Sequence, residues 1–184
     1  MQYTLSDKAS PVELITLARA KEHLRILHTE QDGLIEDYIT AARHWAEGYI
    51  RRALAAKDVS VYLSKAIQDN QLKIVLPIAT DYETSYTVEV YGELIDPSLY
   101  RTLPGPLPTI VIPETAISAY LPDDRTDYDI TVDYTPTVYG SRSDIKLSLL
   151  QIIGNFFYHA DGTPLEDQKR ITNLLQQHRV RDYM

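Results

Sequence analysis

The chain has 184 residues, 44% of them hydrophobic, a formal net charge of −8 and no cysteine. This length suffices for one compact domain or a small domain carrying an insertion, and the lack of thiols excludes disulfides and thiolate metal sites. No apolar run approaches the roughly 20 residues of a membrane span, and Met1 to Ser10 lacks the charged-then-apolar layout of a signal peptide, so a cytosolic protein without membrane contact is expected.

Two helices open the chain. Leu17 to Ile26 predicts a two-turn helix starting at Thr16, hinged at His28 to Asp32 onto a long helix over Leu34 to Leu54. In the long helix, apolar side chains recur at steps of three and four on two adjoining rows. One holds Leu34, Tyr38, Ala42, Trp45 and Tyr49, and the other Ile35, Ile39, Ala46, Ile50 and Leu54, which together make a wide amphipathic stripe. Leu34, Tyr38, Trp45 and Tyr49 of the first row are expected to form the bundle core against Ile145 to Phe157. Thr29 or Asp32 can cap the helix, its side-chain oxygen accepting a free N–H of the first turn. Gly48 costs about 1 kcal/mol against alanine inside a helix, so its place there suggests that something approaches closely.

From residue 58 to 140 the pattern changes. Val59 to Leu63, Leu72 to Leu76, Tyr86 to Tyr91, Thr109 to Ile112 and Asp129 to Tyr134 are rich in β-branched and aromatic residues, several alternating polar with apolar as half-buried strands do. Seven prolines between Pro77 and Pro122 punctuate them, marking loops or edges. A small antiparallel sheet of five or six strands is expected, with Ile130 and Val132 on one face of the last strand and Asp129, Thr131 and Asp133 on the other. The segment holds 13 acidic and 4 basic side chains, whereas the flanks are near neutral. A duplex would be repelled there, because gripping its backbone means neutralising phosphates with Lys and Arg.

Helical periodicity returns at Asp144 to Tyr158, capped by Ser141 or Ser143, with Asp144 well placed against the helix dipole. Ile145, Leu149, Ile152, Ile153 and Phe156 form one face, and Leu147, Leu150 and Phe157 extend it most of the way round. Such a helix is either central to its domain or covered by another subunit. A last helix is expected from Thr163-Pro-Leu-Glu166, a capping box with proline at the first helical position, to about His178. The tail from Arg179 is expected to be mobile in isolation.

Chemical motifs are absent or weak. The run Asp123 to Asp129 could chelate calcium or pair carboxylates, yet it lacks the glycine and closing glutamate of an EF-hand loop and reads as a solvated acidic loop. His23, His28, His44, His159 and His178 have no paired zinc spacing and read as surface or helix-end residues. No strand–Ser–helix elbow supplies a nucleophile. Gly105 between two prolines is a turn, with no Gly-Lys-Ser to make a phosphate loop. No enzyme activity, cofactor or metal is expected. Fourteen tyrosines against two phenylalanines suit either a small β core or surfaces that are wet before assembly and buried after it.

The order of these elements carries a resemblance. Leu17-Ala-Arg-Ala-Lys-Glu-His-Leu-Arg-Ile26, Asp32 to Ala41, Glu47-Gly-Tyr-Ile50 and Arg52-Ala-Leu54 resemble the gp6-like head–tail connector proteins of tailed bacteriophages. Asp144 to His159 looks like that family's second long helix, and Leu174-Leu-Gln-Gln-His-Arg179 is similar to its Leu-Leu-x-x-Tyr-Arg ending, with His178 in place of tyrosine. The resemblance implies an α+β protein: a helical bundle from residues 1–57 and 141–184, with an acidic β-rich insertion over 58–140. It also implies a structural virion protein, located in the neck and in host cytoplasm during assembly. Such a protein forms a ring of about a dozen subunits beneath the portal protein, docks a tail or tail-completion protein, and lets DNA through without sequence-specific binding. On that reading Leu174, Leu175, Arg179, Arg181 and Tyr183 are portal-contact candidates, lost on deletion after His178. Asp123, Asp124, Asp127 and Asp129 are candidates for an acidic channel lining or surface. A β-rich ligand- or partner-binding module on a helical scaffold is the alternative.

Overall fold

A computed structural model describes residues 2–8, 11–66, 70–80, 84–120, 127–139, 142–159 and 168–180. The chain divides into two compact units: residues 2–8 with 56–138 form one, and 12–55 with 139–180 form the other. The fold is α+β.

In the helical unit, α1 (Leu17–Leu24) is capped by Thr16, whose hydroxyl accepts the Arg19 N–H at 3.3 Å. It stops at Arg25, which takes a left-handed conformation (φ 59°). The long helix α2 (Asp32–Ile50) follows, and Arg51 ends it in the same way. Neither Thr29 nor Asp32 caps it: the N-cap is Gln31, without a side-chain bond, and the Asp32 carboxylate is engaged by the Lys21 ammonium. α4 (Ser143–Tyr158) likewise lacks a serine cap, since Ser143 is already helical. Instead the Asp144 carboxylate accepts the Ile145 N–H at 3.0 Å.

The core of this unit corrects the expected row. Ile35, Ile39, Ala42, Ala46 and Ile50 are buried against Ile145, Leu149, Ile152 and Ile153, with Leu24, Ile171 and Leu175 closing the cluster. Each such isoleucine contributes on the order of 2 kcal/mol. Leu34 and Trp45, by contrast, stay 45% and 39% exposed, while Tyr38 and Tyr49 only edge the core. A helix has one face for its core, and the branched and small residues one position along pack closer to α4 than bulky aromatics would allow. α4 touches α1, α2 and α5 (Gln168–Gln176) and is thus the central helix, although Leu147 remains exposed. The capping box at 163–166 lies outside the described residues.

The β unit contains two antiparallel sheets instead of one. The first has the order β1-β2-β8-β4-β5, from Gln2–Asp7, Lys57–Ala66, Asp127–Tyr134, Tyr86–Val90 and Glu93–Leu94. The second has the order β3-β7-β6, from Gln71–Val75, Thr109–Pro113 and Arg101–Leu103. One turn of helix, α3 (Glu114–Ile117), follows β7. Strand β1 is an addition from the N-terminus that no sequence pattern announces, pairing Gln2 with Tyr62 through to Asp7 with Lys57.

Central strand β8 alternates as the sequence predicts: Ile130, Val132 and Tyr134 are buried, while Asp129 is exposed and Thr131 and Asp133 are half-buried. Val59, Val61, Val88 and Val90 complete the apolar face. The Tyr134 hydroxyl donates to the Ile78 carbonyl and accepts its N–H, both at 3.2 Å, and Tyr100 donates to the Tyr86 carbonyl at 2.7 Å. Tyr134 therefore serves the β core, with half-buried Tyr86 tilted against its ring and half-buried Tyr100 at the edge. Hairpin β4–β5 turns on Tyr91 (φ 52°) and Gly92 (φ 79°), the two left-handed residues of a type I′ turn.

Candidate assembly surfaces

Two buried polar clusters hold the helical unit together, and both lie where α2 ends. In the first, Arg43 is 1% exposed and lies between two carboxylates. Its Nε donates to both Glu13 oxygens at 3.0 Å, and a terminal nitrogen reaches Glu47 at 3.4 Å. Glu47, equally buried, turns its other oxygen to the N–H groups of Leu54 and Ala55 at 2.7 and 3.1 Å. A charged pair at this depth persists because its donors and acceptors are met on several sides. The i, i+4 spacing of Arg43 and Glu47 is visible in sequence, but on the pattern of apolar rows both read as surface residues.

The second cluster fixes the C-terminal segment. After α5 the chain bends so that the His178 ring is buried, with Nε2 at 2.7 Å from Asp144 and Nδ1 at 3.2 Å from the Tyr139 hydroxyl. Arg52 donates to the His178 carbonyl at 3.1 Å and lays its guanidinium 4.4 Å over the Tyr139 ring. Gln177 adds a bond to Asp144 at 2.8 Å. Burial on its own would push the Asp144 carboxyl up; the hydrogen bond from His178 and that of the Ile145 N–H outweigh it and hold it below the usual aspartate range. His178 is thus neither a surface residue nor a simple helix-end one. Two residues on, Val180 is buried and its N–H bonds the Ile50 carbonyl at 3.0 Å, so Arg179 and Val180 are anchored instead of trailing free.

The portal-contact candidates separate accordingly. Leu175 is fully buried in the core, Leu174 is half-buried, and Arg179 is exposed with its guanidinium 5.2 Å from the centre of the Tyr49 ring. Arg181 and Tyr183 lie outside the described residues. Tyr49 also stacks on Trp45, ring centres 5.6 Å apart and planes 3° from parallel. Trp45, exposed and stacked on a half-buried Tyr49 that Arg179 also covers, is the feature that a core assignment of Trp45 conceals.

On the β unit, Asp123 and Asp124 lie outside the described residues. Asp127 and Asp129 stand in β8 at register positions opposite Ala66 and Ser64. Asp129 borders an open hollow of about 710 Å³ with Gln2, Tyr62, Ser64, Tyr91 and Thr131. Among the described residues no three His, Cys, Asp or Glu side chains are placed to hold a metal ion, and no helix is long and apolar enough to cross a membrane. The surfaces offer contact area and charge.

Residues 14–94 match the model of the phage gp6-like head-tail connector protein family, a span that takes in the resemblance drawn from α1 and α2 and ends before that drawn from Asp144 to Arg179. No curated protein is similar enough in sequence to count as a match. Among solved structures the chain is similar to a protein in the neck of an empty gene transfer agent (GTA) particle computed with C6 symmetry. The TM-score is 0.71 at 18% identity, covering 100% of this chain and 98% of that one. A chain in the virion of a native GTA particle gives 0.67 at 19% identity, and one in the neck of a native GTA particle computed with C12 symmetry gives 0.67 at 17%, both with the same coverage.

Proposed function

With a gp6-like head–tail connector pattern over residues 14–94 as its premise, we propose that the protein is a structural subunit of a virion neck. It assembles as a closed ring of about a dozen copies beneath the portal, each subunit meeting the next through unlike faces. The ring prolongs the DNA channel and presents a docking surface to the tail. The observation that carries this reading is the likeness of the whole chain, helical and β units alike, to neck proteins of almost the same length.

The acidic β unit gives the channel a physical role. A lining rich in Asp, with Asp129 on an exposed sheet face, repels phosphates and keeps passing DNA from adhering. Portal contact is assigned to the chain end around Arg179, Arg181 and Tyr183, with Leu174 at its edge.

Co-expression with the portal protein of the same particle, followed by negative-stain imaging, tests the proposal: rings stacked on portals are expected. Truncation after Val180 is the cleaner deletion, because Val180 itself is core. It should abolish portal capture while leaving the unfolding midpoint unchanged. Portals that never retain the full-length chain would overturn the connector reading, and an acidic sheet face on the ring's outer wall would remove the lining role.

A further inference from the structure

The helical unit carries two complementary faces. The first is a projecting stripe on α2: Leu34, Ala41, Trp45 and Gly48 are exposed, Tyr49 stacks under Trp45, and Asp37 flanks them. Glycine inside a helix costs about 1 kcal/mol against alanine, yet a Cβ placed on Gly48 would meet nothing within 4 Å. The described residues make no use of the space. A stripe bearing a stacked aromatic pair, with the Asp37 carboxylate beside it, has the composition of an interface core with a charged flank.

The second face is a groove of about 520 Å³ where the segment leading into α1 meets the start of α4. Leu14, Leu147 and Leu150 give it apolar walls, and two exposed cations line it, Lys146 and an Arg19 that is paired with Glu22. Its chemistry complements the stripe: apolar walls for an indole, and the Lys146 ammonium opposite Asp37.

We propose that the occupant of the groove is the Trp45 stripe of a second copy of this chain, so that α2 of one subunit seats between α1 and α4 of the next. The proposal rests on the ring reading and names the contact that would propagate it. Stripe and groove are different surfaces, so the contact is heterologous, the type that closes into rings. Gly48 then has a use: it lets the neighbour's backbone approach the helix beside the indole.

The test uses full-length chains and sedimentation equilibrium. Trp45→Ala removes the stripe and leaves the groove; Leu147→Glu spoils the groove, setting a carboxylate against Asp37, and leaves the stripe. Both positions are exposed, and matching unfolding curves will confirm that the variants fold. Each variant alone should self-associate about tenfold or more weakly than wild type, while an equimolar mixture should yield one-to-one heterodimers, since one intact stripe and one intact groove remain. Asp37→Lys should weaken assembly, and Lys146→Glu in the same chain should restore it.

Variants that assemble as well as wild type, or a mixture without heterodimers, overturn the pairing and leave the ring reading standing. A wild-type chain that stays monomeric throughout overturns the pairing, and imaging with the portal protein decides whether the ring reading falls with it. If Trp45→Ala loses only its association with portal protein, the stripe belongs to that partner and the pairing fails.

Discussion

At the scale of single residues, Glu47 illustrates how much one side chain can organise. It accepts from Arg43 and from two backbone N–H groups in the turn that follows α2, so alanine there strips two N–H donors of an acceptor and takes one carboxylate from a buried guanidinium that keeps Glu13. Glu47→Ala is expected to cost about 3 kcal/mol in urea unfolding, with Glu13 keeping the loss from growing further. Asp144 makes a pH-dependent contribution. Its folded pKa is depressed, so its stabilisation is full above the unfolded value of about 3.9 and is lost as pH falls through the folded value. Asp144→Asn should therefore be less stable than wild type at pH 7, and the gap should close in strong acid. A gap that persists unchanged at pH 2 would show that the carboxylate charge is not what matters. Neither role is legible in sequence, where a lone Glu or Asp on a helix defaults to the surface; only the fold reveals the backbone groups they satisfy.

At the scale of elements, α2 shows what periodicity can and cannot decide. The steps of three and four locate the helix and its apolar breadth, but two adjacent rows compete for one core, and size breaks the tie in favour of Ile35, Ile39, Ala46 and Ile50. Hydropathy alone ranks Trp45 and Leu34 no lower, which is why periodicity does not reveal the exposed stripe. Gly48→Ala should stabilise the dissociated subunit by about 1 kcal/mol, measured by thermal unfolding at a concentration too low for association; destabilisation there would mean that the helix needs the glycine for itself. Strands are legible where β-branched residues alternate, as in β8, and illegible where they are short. Glu93–Leu94 and Arg101–Leu103 carry too little pattern, and the division into two sheets depends on which strands pair, which no local signal encodes.

At the scale of the whole molecule, charge is segregated: residues 58–140 hold 13 acidic and 4 basic side chains. Like charges in one unit oppose its own compaction. Raising salt from about 20 mM to about 300 mM shortens the screening length severalfold and is expected to raise the melting temperature by a few degrees. A fall would mean that attractive pairs such as Lys57 with Asp7, 3.5 Å apart, outweigh the repulsion. That pair sits at the last rung of the β1–β2 ladder, where the Lys8 N–H also bonds the Ala56 carbonyl at 3.1 Å. Everything between, including α1 and α2, is a closed excursion whose two ends lie side by side. Time enters here: the ladder cannot form until that excursion has returned, and closing so long a loop is entropically slow while helical turns are local and fast. Pulse-labelled hydrogen exchange should accordingly protect the α2 amides before those of Gln2 to Asp7, making the chain's first strand among the last of its elements to be laid down.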